Sequence, residues 1–196
     1  EGKSATAVNL AVVLAQLGRR VLLVDTDLRR PRLHRVFEQE NKRGVSTFLS
    51  GLEGDPRHLL IASGVEGLSL IGSGPIPPNP SELLGSAAMH RLLEELRAEY
   101  DTVIFDSPPT LAVTDASVLG TSSDAVILVL RAGETEETAA QRALEQLRRV
   151  QARVAGAVLN GVERNGDRYY YYDYRGGRQS SRGLIANLRN RIANLF

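Results

Sequence analysis

Cysteine is absent from the 196 residues, and lysine is nearly so, with only Lys3 and Lys42 against 22 arginines. Without cysteine no disulfide forms, and the composition suits a reducing cytosol. Long apolar runs are also missing. Ala125–Leu130 is typical of the longest, far short of the roughly 20 residues a membrane helix needs. No signal-peptide pattern is visible, so any membrane association is expected to come through a partner or a segment outside this sequence. Charge of one sign is lacking too. A formal net charge of +1 makes no overall case for nucleic acid or a membrane surface. His34, His58 and His90 lack ligand spacing and are assigned no metal or catalytic role. The sequence opens inside a motif, with no methionine and no preceding strand, and is expected to be a fragment of a longer protein.

What is present reads as one domain with a substantial core. Thr6 to Leu17 carries a helical apolar stripe that Gly18 should end. "RRVLLVD" then reads as a buried parallel strand. The alternation repeats: a strand in "GLSLIGSG", a helix over 81–99 with Ser81 as N-cap, and a strand in "DTVIFDSPP". A short helix over 114–120, the strand "DAVILVL", an amphipathic helix over 135–150 and the strand "AGAVLN" complete the pattern. "RGVSTFLSG" is one short helix in the less regular stretch 34–67. The order predicts an α/β fold, a doubly wound, mostly parallel sheet with helices on both faces. The domain is expected over 1–162, with a Tyr- and Arg-rich tail over 163–196.

The motifs fall at carboxyl ends of predicted strands or the helix start that follows one, where such sheets bind ligands. "EGKS" (1–4) fits the end of a phosphate loop, G-x-x-x-x-G-K-[ST]. Amides at a helix N-terminus hold phosphates, lysine adds a point charge, and the hydroxyl binds Mg²⁺. A surface turn is the rival for so short a match. A chain so biased to arginine that keeps Lys3 here needs a compact ammonium rather than a fork. "VLLVDTDLRRPRLHR" ends a strand with Asp25 and Asp27, followed by Arg29, Arg30, Arg32 and Arg35. Strand-end acids bind metal or water or accept a proton. A helix cap beside a solvated charge run is the commoner use. The arginines could bind a subunit or a phosphate. "VIFDSPP" matches a Walker B strand whose Asp106 would hold Mg²⁺. Asn160, in "VLNGV", could read a purine edge or simply form an Asn-Gly turn. Beyond residue 163, "RYYYYDYRGGRQ" gathers five of the six tyrosines: Tyr169, Tyr170, Tyr171, Tyr172 and Tyr174. Neither strand nor helix spacing explains them, and the flanking Arg-Gly-Gly-Arg is loop composition.

Together, "EGKS", "LLVDTDLR", "VIFDSPP", "NPSELL", "VLN" and the tyrosine cluster resemble the bacterial protein-tyrosine kinases (BY-kinases) of exopolysaccharide and capsule synthesis. The resemblance covers nearly the whole chain. It implies a P-loop kinase domain using ATP and Mg²⁺, with the five tail tyrosines as autophosphorylation sites. Glu1, Gly2, Lys3, Ser4, Ala5 and Asn160 would bind ATP, and Lys3 and Asp25 would be catalytic, Asp25 taking the tyrosine proton. Ser4, Asp27 and Asp106 would hold the metal. The implied partners are a neighbouring subunit's tail within a ring, a membrane polysaccharide co-polymerase or activator segment, and a cognate tyrosine phosphatase, but no nucleic acid. The implied location is the cytoplasmic face of the inner membrane. Two alternatives stay open: a partition- or septum-type ATPase switch, and a non-catalytic nucleotide-binding assembly module.

Overall fold

The computed structural model describes residues 1–162; the tyrosine cluster lies outside the described residues. Helix α1 (Lys3–Gln16) forms because Val8, Ala11, Val12 and Ala15 recur at helical spacing and bury one stripe. Gly18, in the left-handed region at φ 83°, ends it, its amide donating to the Ala15 carbonyl at 2.9 Å. Strand β1 (Val21–Asp25) follows with every residue buried.

Val21 and Leu23 point to the face covered by α1. Leu22 and Val24 point to the other, where Leu92, Leu93 and Leu96 of α5 (Ala87–Glu99) pack. A continuous apolar run is what a strand buried on both faces requires. β1 pairs in parallel with β3 (Leu68–Ile71) and with β4 (Thr102–Asp106), in a register that sets Asp25 beside Asp106. At the opposite end Arg20 staples the two strands, its amide and guanidinium donating to the Asp101 carboxylate at 2.9 Å each.

The sheet order is β2-β3-β1-β4, with β2 (Leu60–Ala62) antiparallel at the edge. A second parallel pair, β5 (Val126–Arg131) and β6 (Val154–Asn160), stands apart. Between β4 and β5 runs a cleft of about 740 Å³, lined by both strands, by α1 and by α7 (Glu137–Arg149).

Most expected elements are found, with α6 spanning Asp115–Thr121 and α3 Val45–Leu49. One expectation needs correction. Residues 81–99 are not a single helix but α4 (Pro80–Leu84) and α5, separated at Gly85 and Ser86. Ser86 rather than Ser81 supplies the cap, its Oγ accepting from the Met89 amide at 3.3 Å. The short helix α2 (Leu33–Val36) and strand β2 lie in the stretch whose pattern was irregular. The loop leaving β3 packs tightly on the start of α3. A side chain on Gly44 would strike the Gly72 carbonyl, so only glycine fits there. Asn41 binds the same loop, accepting from the Gly74 amide at 3.0 Å and donating to its carbonyl at 2.8 Å.

Candidate active site

Gly2 adopts φ 85° and turns the chain directly into α1. That left-handed turn favours glycine, and a side chain there would push aside the Asn160 amide. The helix therefore begins at Lys3, leaving its first amides, those of Ser4 and Ala5 among them, without intrahelical partners and available to an anion. Thr6 closes the turn, its amide and hydroxyl both reaching the Gly2 carbonyl at 2.9 Å. The Lys3 ammonium contacts the Glu1 carboxylate at 2.7 Å.

Asp106, last in β4, is buried, with the Ser4 side chain near enough to lower its carboxyl. Burial pushes its carboxyl up to about 6, opposed by the Ser4 side chain and the charges of Lys3 and Arg32, while Asp27 adds to the rise. Asp25, its register partner on β1, is fully buried. Three backbone amides converge on it: Arg32 at 3.1 Å and Leu33 at 3.0 Å on Oδ2, and Asp27 at 3.2 Å on Oδ1. Desolvation first, then the Asp106 charge, raises Asp25 to about 7 despite those amides. In this conformation the folded-back loop after β1 closes Asp25 to any incoming hydroxyl.

Asp27 is half-buried and accepts the amides of Arg29 at 3.2 Å and Arg30 at 2.9 Å, both on Oδ1. Among the described residues, no three His, Cys, Asp or Glu side chains converge as a metal cage. Mg²⁺ rarely uses such cages, relying on one or two carboxylates plus substrate phosphates. Ser4 and Asp106, with Asp27 near enough to perturb Asp106, fit that requirement.

Asn160 ends β6 with its amide aimed at the phosphate-loop main chain. It lies 3.3 Å from the Glu1 carbonyl, 3.5 Å from that of Gly2 and 3.4 Å from the Thr6 hydroxyl. All four arginines after Asp27 lie at the surface, and Arg29 pairs with Asp115 at 2.9 Å. Asp115, buried at the start of α6, escaped the sequence reading; its only signal is an acid just past the Walker B loop.

A glycine turn into a helix, a lysine, a serine on a strand-end aspartate and a parallel sheet define a P-loop nucleotide-binding domain. A family model described as "AAA domain" matches residues 1–159. The tyrosine-protein kinase YwqD of Bacillus subtilis is 46% identical over 175 residues, covering 88% of this chain and 72% of that protein. The kinase domain of the Escherichia coli tyrosine kinase ETK superposes with a TM-score of 0.81 at 38% identity, covering 88% of this chain and 68% of that one. The chain belongs to the bacterial tyrosine-protein kinases. It spans only 23% of the whole etk kinase of E. coli. The cell-division ATPase MinD of Pyrococcus furiosus, at 22% identity and a TM-score of 0.67, covering 81% of this chain and 66% of that one, shares the fold alone.

Proposed function

We propose that this domain transfers the γ-phosphoryl group of ATP to tyrosines of the C-terminal tail, Tyr169–Tyr172 and Tyr174. The observation that carries the reading is the placement of Ser4 and the Lys3 charge beside the buried Asp106, whose register partner is Asp25. Lys3 exchanges its Glu1 partner for the nucleotide phosphates, and the first amides of α1 bind phosphate oxygens. Ser4, Asp106 and Asp27 would hold Mg²⁺, which when bound neutralises charge on the phosphates. The tyrosine oxygen bonds to the γ-phosphorus as the bond to the β–γ bridging oxygen breaks. Asp25 takes the phenolic proton and ADP leaves. For this, the amides of Arg32 and Leu33 must first withdraw from Asp25. The reaction is dissociative enough that positioning matters more than basicity. Asn160 steadies the phosphate loop beneath the nucleotide rather than reading its base.

By analogy with the family, transfer runs between neighbours of a ring at the cytoplasmic face of the inner membrane. A polysaccharide co-polymerase or activator segment tethers it, a cognate phosphatase resets the tail, and the cycle controls exopolysaccharide or capsule export.

Phosphotyrosine mass spectrometry after incubation with Mg·ATP tests the reading. The intact protein should label its tail, and Lys3→Met should lower the rate by ~10²-fold or more without lowering Tm. ATP hydrolysis with an unlabelled tail would instead indicate a partition-type switch.

A further inference from the structure

Three loops leave the carboxyl edge of the central sheet: 26–32 after β1, 72–79 after β3 and 107–114 after β4. Residues in or just past these loops meet at one buried carboxylate. Asp115 has no exposed surface and accepts Arg29 Nε at 2.9 Å, Arg29 Nη2 at 3.1 Å and Ser81 Oγ at 2.5 Å. Arg29 Nη2 also donates to Ser81 Oγ at 3.0 Å, and Thr114 Oγ1 lies 3.4 Å from the same oxygen. Burial would raise the Asp115 carboxyl, but the bonds from Arg29 and Ser81 outweigh it and hold it below the usual range. It is thus a charged, fully partnered group.

The consequence reaches Asp27 through two residues of backbone. The amides of Arg29 and Arg30 both fall on Asp27 Oδ1, so the position of the Arg29 main chain sets the carboxylate's orientation. A two-pronged guanidinium fixes that main chain in a way a lysine ammonium cannot. We propose that Asp115, through Arg29 and with Ser81, is a positioning residue that aims Asp27 toward the metal shell of the bound nucleotide. The inference rests on the reading of Asp27 as a metal-shell group. Asp115 itself touches neither nucleotide nor metal.

Titration of a fluorescent ADP analogue into the full-length protein, with and without Mg²⁺, tests it by binding alone. The wild type should bind more tightly with Mg²⁺. Asp115→Asn should cut that Mg²⁺-dependent gain about 10-fold, the usual scale for groups that orient metal ligands, and leave Mg²⁺-free affinity unchanged. Arg29→Lys, at a partly exposed site and with charge retained, should do the same even if Asp115→Asn folds poorly. In an Asp27→Asn background, Arg29→Lys should add nothing further, because both changes act through one carboxylate. A full Mg²⁺ gain in Arg29→Lys, whatever its Tm, would reduce the cluster to a structural tie and overturn the proposal. Absence of any Mg²⁺ gain in the wild type would instead remove the metal site itself, and the proposal with it.

Discussion

β1 and β5 are made of nearly the same residues, VLLVD and VILVLR, and sit in opposite surroundings. Each residue of β1 is buried, with β3 and β4 on its edges and helices on both faces. β5 has β6 on one edge and the cleft on the other, and leaves Ile127 45% exposed. An apolar run states that a strand wants cover on every side; it does not name the neighbours that provide it. The site follows the same division. Asp25 lies on the sealed side, Lys3 and Asp106 line the cleft between the two sides, and β6 contributes Asn160 across to the phosphate loop.

The sharpest test compares equivalent truncations. Leu23→Ala removes a fully buried side chain and should cost ~2–5 kcal/mol. In a chain of these 196 residues, Ile127→Ala, half-exposed beside the cleft, should cost about 1 kcal/mol. Urea midpoints measure both, and equal losses would erase the distinction between the two strands.

A smaller effect should appear with pH. Both Asp25 and Asp106 are raised above the ordinary 3.8, to about 7 and about 6. The folded state therefore holds protons that the unfolded state has lost, and stability falls as pH rises from about 4 through about 7. Without divalent cation, Tm should rise as pH is lowered from 7.5 toward 5.5. Asp106→Asn, which removes one of the two acids and the like charge that raises the other, should flatten the slope. Parallel slopes for wild type and variant would show that the paired acids do not govern it.

The least effect is expected at the contact between the two sides. Asn160→Ala deletes only long hydrogen bonds and should cost ~0.5 kcal/mol. Its signature is faster hydrogen exchange at the first amides of α1. A loss as large as that of Leu23→Ala would mean the contact holds the halves together.

The doubly wound α/β plan was legible because apolar runs and helical stripes alternate from Val8 to Asn160, and the three motifs fall on the carboxyl edge. Less was visible where structure depends on distant partners. Ser81 reads as a helix cap, yet its hydroxyl is drawn to Asp115, 34 positions away, and the helix restarts at Ser86. β2 has three half-exposed or exposed residues and no periodicity to detect; pairing with β3 alone makes it a strand. Asp25 reads as an accessible strand-end acid. Its burial comes from the main chain of Arg32 and Leu33 folding back, and backbone donors leave no trace in residue type. Asp115 lacked even a motif, since its meaning arises only when three loops converge.

β2 has one further consequence, for how the edge of the sheet is guarded. Three residues running against the direction of the rest present too short and too contrary a ladder for another chain to extend. That margin of the sheet is protected against edge-to-edge pairing. β6, seven residues long and with Leu159 59% exposed, has no partner on its outer edge among the described residues. The two ends thus differ in kind: the β2 edge is short and reversed, whereas β6 offers a longer ladder parallel to its neighbour among the described residues.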